Sequence, residues 1–201
     1  MAPLVKSVYD DQEDLLANMV GLHSGGVVEC DATYGRGRFY RYTLEPPRLK
    51  FDIAPRVPGV VAADVRRLPL RTGAVASAMF DPPFLDGGRK TTGVMPRKYT
   101  SWDTWMPDLL RFYGEAMVEL RRVLAHKGIL YFKCQDLMSG RRNFFNHVSI
   151  YNNALELGFR AKDLFILLAK TRPLQHNLFR QVTARKYHCY FWVFENWKKN
   201  A

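Results

Sequence analysis

The chain has 201 residues, and its 30 Lys and Arg outnumber its 19 Asp and Glu, for a formal net charge of +11. With 47% hydrophobic and 13% aromatic residues, the composition is that of a globular protein and excludes a disordered tail. The length suits one domain over residues 1–201. We expect a cytoplasmic protein, because no apolar run approaches a membrane span and the first residues lack a secretory leader.

Cysteine usage and charge narrow the class of protein further. Cys30, Cys134 and Cys189 are odd in number, far apart and surrounded by apolar residues. This pattern fits neither a disulfide framework nor a zinc site, and it predicts reduced thiols in the core. The excess positive charge favours a polyanionic partner, because a basic surface releases counterions when it binds phosphates.

Short apolar runs alternate with helical patterns along the chain, which predicts an α/β fold with parallel strands. The predicted helices cover residues 9–22, 104–125 and 144–157. The predicted strands cover residues 27–31, 49–53, 60–63, 74–80, 128–135, 162–169 and 186–195. We expect the last two strands to form an antiparallel pair at the edge of the sheet.

Three connections depart from ordinary loops. Only about ten residues, including Pro46-Pro47, separate Gly37 from the strand at Leu49, whereas a crossover with a full helix needs a dozen or more. We therefore predict that the helix after the first sheet strand is reduced to one or two turns. Residues 85–103 and 170–185 form long basic loops, whose length is typical of functional segments.

The peptide Asp81-Pro82-Pro83-Phe84 follows a predicted buried strand and carries the most informative chemistry. The exocyclic amine of a nucleobase is a poor nucleophile, because its lone pair is delocalised into the ring. The Asp81 carboxylate and the Pro82 carbonyl could each accept one N–H and so direct that lone pair toward a methyl donor. The two prolines hold the acceptors rigid, and Phe84 offers a stacking face. An ordinary turn at the end of a strand is the alternative interpretation.

Acidic residues also follow the three preceding strands. The run from Asp31 to Gly37 has an acid at the strand end and two glycines that allow a ligand close to the backbone. Asp52 lies at the next strand tip, where an acid can bind ribose hydroxyls, and Asp64 could accept from an adenine amino group. Each acid alone is explained by a loop or a cap. Together with Asp81, the four acids are predicted to line the carboxyl edge of the sheet, where open α/β sheets bind ligands.

In these motifs the chain resembles the class I S-adenosylmethionine-dependent methyltransferases, and within them the short phage- and bacteria-type DNA methylases that modify adenine N6 or cytosine N4. The resemblance implies a Rossmann-like, seven-stranded mixed sheet with helices on both faces and one antiparallel strand. It implies that the cofactor S-adenosylmethionine is bound by Asp31, Ala32, Thr33, Gly35, Gly37, Asp52, Asp64 and Val65. It implies that the target base is held by the catalytic residues Asp81, Pro82, Pro83 and Phe84.

The sequence departs from this family in lacking a separate target-recognition domain. Base specificity would then come from residues 85–103 and 170–188 or from a partner protein. The partners considered besides DNA are such a specificity protein or a second copy of the chain in a homodimer. The basic residues predicted to contact DNA phosphates are Arg89, Lys90, Arg97, Lys98, Arg172, Arg180, Arg185 and Lys186. Trp102 and Trp105 either stack on a flipped base or pack against the following helix.

Several alternatives stay open at this point. The closest is methylation of a base amine in RNA, and another is a non-catalytic, nucleic-acid-binding subunit that keeps the fold. A protein-glutamine methylase is a third, although the net charge argues against it. Lys133, Gln135 and Asp136 stand at the tip of the fifth predicted strand, where Gln135 and Asp136 either bind a base edge, order the proline peptide or form a structural cap. The histidines have no metal-binding spacing.

Overall fold

The computed structural model describes residues 4–84, 106–139, 142–169, 184 and 186–198. Its helices are α1 (Gln12–Ser24), α2 (Met106–Val123) and α3 (Asn146–Glu156), with a 3-10 turn at Arg38–Tyr40. Its strands are β1 (Val8–Tyr9), β2 (Cys30–Asp31), β3 (Leu49–Asp52), β4 (Val61–Ala62), β5 (Val75–Phe80), β6 (Leu124–Cys134), β7 (Leu137–Ser139), β8 (Arg142–Phe144), β9 (Phe159–Leu168) and β10 (His188–Asn196). The predicted loop 85–103 and most of the predicted loop 170–185 lie outside the described residues.

Eight of the ten strands in the described residues form one mixed sheet in the order β1-β9-β10-β6-β5-β2-β3-β4. Strands β2 to β6 pair in parallel, and β10 is antiparallel to both of its neighbours, β6 and β9. The chain runs outward from β2 through β3 and β4 and then returns to the other side of β2 at β5. The strand order therefore reverses between β2 and β5, which is where open α/β sheets bind ligands.

The sheet has eight strands, one more than predicted. The additional strand is β1, which pairs in parallel with β9. The prediction that the first helix begins at residue 9 is wrong, because the Asp11 side chain accepts hydrogen bonds from the amides of Glu13 and Asp14 and caps the helix there. Since β1 covers β9, the predicted antiparallel pair is formed but does not lie at the edge of the sheet.

Alternate residues of the central strands pack against helices on opposite faces of the sheet. In β5, Ala78 and Phe80 pack in the core that contains α2 and α3, whereas Met79 packs in the core that contains α1. This period of two follows from strand geometry, in which successive side chains point to opposite faces. Because both faces are covered, the central strands are continuous apolar runs, as predicted. No helix in the described part of the chain is long and apolar enough to cross a membrane.

The three cysteines are free thiols, as predicted. Cys30 and Cys134 are buried, and Cys189 is half-buried. Desolvation by burial raises the pKa of all three thiols, that of Cys30 to about 12. Because the thiolate is the reactive form, these side chains are inert at neutral pH.

The boundary between α2 and β6 differs from the prediction of a helix to residue 125 and a strand from residue 128. Helix α2 ends at Val123, and β6 begins at Leu124. The register between β5 and β6 shifts near the start of β6, so the strand bulges there. In this bulge Lys127 has a φ of 63°, and the Asn196 side chain donates to the Leu124 carbonyl at 2.9 Å. These tertiary contacts override the helical periodicity of the local sequence.

A short hairpin that the sequence pattern does not predict follows β6. Its strands β7 and β8 pair antiparallel, with Leu137 opposite Phe144. Helix α3 therefore begins at Asn146, two residues after its predicted start. The shortened connection after β2 is confirmed, because residues 32–48 contain a single helical turn at Arg38–Tyr40.

Glu119 of α2 holds the segment that carries Asp64 and Val65. Its carboxylate accepts hydrogen bonds from the Leu68 amide and from the Arg122 guanidinium, each at 2.7 Å. The bond from Arg122 lowers the pKa of Glu119. We expect Glu119→Gln to lower the free energy of unfolding by roughly 1–3 kcal/mol, because Arg122 loses its charged acceptor. Urea unfolding at neutral pH measures this change.

A matched control lies on the same helix. Asp108 and Arg111 also form an ion pair three residues apart, but both side chains are exposed. Asp108→Asn should therefore change the free energy of unfolding by less than about 0.5 kcal/mol. Equal effects of the two substitutions would contradict the anchoring role of Glu119.

Candidate functional site

A cavity of about 390 Å³ opens at the carboxyl ends of β2, β3, β4 and β5, where the strand order reverses. This volume is within the range of small-molecule sites. Of the residues predicted to bind cofactor or base, those that line the cavity are Asp31, Ala32, Thr33, Gly35, Asp52, Asp64, Val65, Asp81 and Pro83. Gly37, Pro82 and Phe84 are not part of its lining.

A tight turn after β2, the glycine turn (residues 31–37), forms one wall of the cavity. Asp31 is only 3% exposed, and its carboxylate accepts hydrogen bonds from the Thr33 amide and the Tyr40 hydroxyl, each at 2.8 Å. Gly35 has a φ of 58°, which favours glycine. Its amide donates to the Asp52 carboxylate at 2.8 Å. Asp52 of the neighbouring strand therefore holds the turn in place.

The second glycine of the motif serves packing within the turn. Gly37 has a φ of 66°, and a Cβ atom there would lie 2.5 Å from the Tyr34 hydroxyl oxygen. The Tyr34 ring stacks on the Tyr40 ring with centroids 5.6 Å apart, and the Lys50 ammonium lies 5.5 Å from the Tyr34 centroid. Gly37 therefore makes room for an aromatic side chain and does not line the cavity, and its contact with a ligand stays a prediction.

The Asp64 carboxylate is engaged by a neighbouring guanidinium. Arg66 Nε and Nη2 lie 3.0 and 2.6 Å from its two oxygens, and the Arg66 amide donates to it at 2.9 Å. This hydrogen bonding lowers the pKa of Asp64. Arg66 also donates to Glu115 of α2 at 3.1 Å, and its Cζ lies 5.7 Å from the centroid of the Phe112 ring. An amino group bound at Asp64 would compete with Arg66 for the same oxygens.

Residues 81–84, the proline segment, leave β5 beside the glycine turn. The Asp81 amide donates to the Thr33 hydroxyl at 2.7 Å, which ties the two segments together. Pro82 is buried, and the Pro83 carbonyl accepts a hydrogen bond from the Tyr113 hydroxyl at 2.7 Å. The Asp81 side chain is 30% exposed and lines the cavity. A single cavity therefore joins Asp81 to the glycine turn.

Burial raises the pKa of two of the cavity carboxyls. The pKa of Asp31 rises to about 7, because desolvation outweighs its two hydrogen bonds and the nearby charges of Asp81 and Asp52 add to the effect. Desolvation also raises the pKa of Asp81, and Lys133 partly offsets this effect. The Lys133 ammonium lies 3.6 Å from Asp81 Oδ2. A cation bound near these carboxyls would favour their ionised forms.

Lys186 is the one predicted phosphate contact among the described residues. Its ammonium donates to the Asn143 side chain at 2.6 Å and lies 5.9 Å from the Phe145 ring centroid, beside β8 and the start of α3. The other basic residues predicted to contact phosphates and the two tryptophans considered for base stacking lie outside the described residues, namely Arg89, Lys90, Arg97, Lys98, Trp102, Trp105, Arg172, Arg180 and Arg185.

The polar residues directly after β6 bind the first turn of α3. The Asp136 carboxylate accepts from the His147 amide at 3.2 Å and lies 2.7 Å from His147 Nδ1. The Gln135 carbonyl accepts from the Asn146 side chain at 3.0 Å. Of the roles considered for Asp136, these contacts match the structural cap. Within the described ranges, no three or more His, Cys, Asp and Glu residues form a group that could hold a metal ion.

Several cavity residues are not predicted from the sequence. Phe39 and Tyr40 lie in the shortened connection after β2, and their side chains pack beside the sheet in the core that contains α1. The shortness of this connection is the only feature of the sequence that could have indicated them. Phe112 lies on α2, where its apolar character is equally typical of the core. The full set of unpredicted lining residues is Tyr34, Arg36, Arg38, Phe39, Tyr40, Ile53, Ala54, Ala63 and Phe112.

No protein-family model and no curated protein matches the sequence. Solved structures match it in fold. The 1,6-didemethyltoxoflavin-N1-methyltransferase of Burkholderia thailandensis, with bound S-adenosylhomocysteine, is similar over 94% of this chain and 80% of its own, at 16% identity and a TM-score of 0.59. An S-adenosylmethionine-dependent methyltransferase of Leishmania major is similar over 89% of this chain and 69% of its own, at 10% identity and a TM-score of 0.53.

These similarities identify the fold as the Rossmann-like fold of class I S-adenosylmethionine-dependent methyltransferases. A third structure is TTHA0409 of Thermus thermophilus, described as a candidate DNA modification methylase. It matches 69% of this chain at 18% identity, with a TM-score of 0.47. The chain spans about half the length of that protein, since the match covers 55% of it.

Asp31 makes folding stability depend on pH. Its pKa of about 7 in the folded protein lies above the ordinary 3.8. Above about pH 7 the carboxyl is ionised in the folded protein, and the full cost of burying its charge lowers the free energy of unfolding. This cost decreases as the pH falls from about 7 toward 4, below which the carboxyl is protonated in the folded and in the unfolded state. We expect Asp31→Asn to raise the free energy of unfolding at pH 8, by at most about 4 kcal/mol, and to flatten its pH dependence. Chemical denaturation at several pH values measures both effects.

Glu45→Gln removes a carboxyl from an exposed loop and serves as the control. Its unfolding free energy should follow the same pH dependence as the wild-type protein. If Asp31→Asn also kept the wild-type dependence, Asp31 would not be the group responsible.

Proposed function

We propose that the chain is an S-adenosylmethionine-dependent methyltransferase that methylates an exocyclic amino group of a nucleobase, adenine N6 or cytosine N4, in DNA. The observation that carries this proposal is the single cavity lined by residues 31–36 of the glycine turn, by Asp52 and Asp64, and by Asp81 and Pro83 of the proline segment. A donor site and an amine-binding site would then share one space, so that the two reactants are held in contact.

The glycine-turn end of the cavity suits a cationic donor that also carries hydroxyl groups. S-adenosylmethionine has sulfonium and ammonium groups, and when bound it supplies an electrophilic methyl group. Asp31 offers a carboxylate to these cationic groups. Asp52 binds two backbone amides, which leaves acceptor capacity for ribose hydroxyls. Val65 and Phe112 add apolar surface on which an adenine ring can pack.

The proline segment suits an amine. The Asp81 carboxylate, which lines the cavity, would accept one N–H. The carbonyl of the adjoining Pro82, which is not part of the lining, would accept the other, so that the nitrogen lone pair points toward the donor. Thr33 and Tyr113 hold this segment from two sides, through the Asp81 amide and the Pro83 carbonyl. The acceptors are therefore fixed before a substrate arrives. No strong base is required, because the proton leaves the amine after attack.

DNA is the substrate we favour, because the proline segment suits a base amine and the net charge of +11 attracts phosphates. A base inside a duplex cannot reach such a cavity, so it would be flipped out. Phe84 would stack on the flipped base. The similar Burkholderia enzyme is named for a small-molecule substrate, and RNA presents the same base amines as DNA. Small molecules and RNA are therefore included as substrates in the test.

Methyl-labelled S-adenosylmethionine, incubated with the protein and with duplex DNA, single-stranded DNA, RNA or free nucleosides, tests the proposal. We expect label in DNA, recovered as N6-methyladenine or N4-methylcytosine by nucleoside mass spectrometry. If the label appears in RNA alone or in nucleosides alone, the labelled molecule and not DNA is the substrate. If the cofactor does not bind at millimolar concentration, the chain is a non-catalytic member of the fold.

The Asp81 carboxylate should be required for the transfer step and not for cofactor binding. We expect Asp81→Ala to reduce the transfer rate by about 10²- to 10³-fold, a typical loss for one preorganised electrostatic contact. Cofactor affinity, measured by calorimetry, should change little. Asp10→Ala removes an exposed carboxylate and is the control. Wild-type activity in Asp81→Ala would reject the assigned role.

Asp52 should act on cofactor binding. We expect Asp52→Ala to weaken the affinity for S-adenosylmethionine about 10- to 100-fold, because it removes ribose acceptors and releases the Gly35 amide that orders the glycine turn. Calorimetry measures the change. Binding as tight as in the wild-type protein would show that the ribose does not lie at Asp52.

A further inference from the structure

Lys133 brings a positive charge to the proposed catalytic carboxylate. It lies near the end of β6, and its Nζ is 3.6 Å from Asp81 Oδ2. The Lys133 side chain is only 12% exposed. Because little solvent surrounds this lysine, its attraction to the carboxylate is screened less than that of a surface pair.

Three aromatic rings and one amide surround the Lys133 ammonium. Its Nζ lies 4.9 Å from the centroid of Phe39, 5.6 Å from that of Phe84 and 5.4 Å from that of Phe191. It also lies 3.5 Å from Oε1 of Gln12, the first residue of α1. Aromatic faces at such distances attract a cation. The ammonium is therefore held by the 3-10 turn, the proline segment, β10 and α1.

Asp81 faces charged or titratable groups from four elements. They are Lys133 of β6, Asp31 of β2, Tyr113 of α2 and Cys189 of β10. Lys133 is the cation in this set, and Asp31 adds negative charge when ionised. A protonated Asp81 could donate a hydrogen bond from the oxygen that an incoming amino group needs as an acceptor.

We propose that Lys133 is a positioning residue for methyl transfer. Through its contact with Asp81 it keeps that carboxyl in the acceptor form and oriented in the cavity. Through its contact with Phe84 it orients the proposed stacking ring. This inference rests on the proposed function of the same site, and it assigns Lys133 no contact with the transferred methyl group.

The state of the Asp81 carboxyl can be measured without catalysis. Carbon-13 NMR follows the side-chain carboxyls during a pH titration, with Asp81→Asn to assign the Asp81 signal. We expect Lys133→Met to raise the Asp81 midpoint by about 1–3 pH units, because it removes the neighbouring cation. Lys133→Arg keeps the charge and should stay near the wild-type midpoint. An unchanged midpoint in Lys133→Met would overturn the inference.

Catalysis gives an independent measurement on a substrate that the wild-type protein methylates. We expect Lys133→Met to lower kcat about tenfold at neutral pH. The kcat of this variant should recover as the pH rises, because the acid limb of its pH profile is displaced to higher pH. Lys133→Arg should restore the wild-type profile. Lys162→Met is the matched control, because Lys162 lies 3.7 Å from the Glu195 carboxylate, away from the residues that line the cavity.

The two measurements separate the possible failures. A loss of kcat that is equal at every pH, with an unchanged Asp81 midpoint, would make Lys133 a packing residue. If the wild-type protein methylates nothing, the proposed function fails, and the NMR titration still decides whether Lys133 keeps the Asp81 carboxyl ionised. If Lys133→Met does not fold, Lys133→Gln removes the charge with a polar side chain and takes its place in both measurements.

Discussion

Desolvation of carboxylates at the junction of β2 and β5 is the constraint on which the candidate site depends. Parallel pairing of these two strands places Asp31 and Asp81 at the same sheet edge, and the apolar core beneath them limits the approach of water. The resulting cost is only partly offset by hydrogen bonds to Asp31 from Thr33 and Tyr40 and by the charge of Lys133 beside Asp81. What remains is an acidic cavity in which a positively charged molecule would relieve an existing electrostatic penalty.

The walls of the cavity are joined to one another by bonds between side chains and backbone. Asp52 binds the Gly35 amide, Thr33 binds the Asp81 amide, and Tyr113 binds the Pro83 carbonyl. Each bond links loops that follow different strands, or a loop to a helix. Such cross-links fix functional groups more precisely than independent loops would, because each loop is positioned by an adjacent rigid element.

The parts of this structure that the sequence predicts are those with local signals. The sequence predicts strand β5 within one residue, because its apolar run ends at Asp81-Pro82. The sequence does not predict the end of α2, because a bulge in the pairing of β6 with β5 determines it. Strands β1, β7 and β8 are not predicted because they are too short to show a period of two. The four cavity acids were predictable from their places after strands. The engagement of Asp64 by Arg66 and the stacking of Tyr34 on Tyr40 needed three-dimensional contacts.

The short 3-10 turn at Arg38–Tyr40 also determines which groups can bind an anion in the cavity. A full helix would offer several fixed peptide N–H groups and an aligned dipole, whereas three residues offer almost none. Two exposed guanidinium groups, Arg36 and Arg38, flank Gly37 and line the cavity instead. A carboxylate or phosphate on a bound molecule would then be neutralised by long side chains in contact with solvent. Dissolved salt weakens the attraction of exposed charges far more than that of buried dipoles. The affinity for an anionic group should therefore decrease as the ionic strength rises.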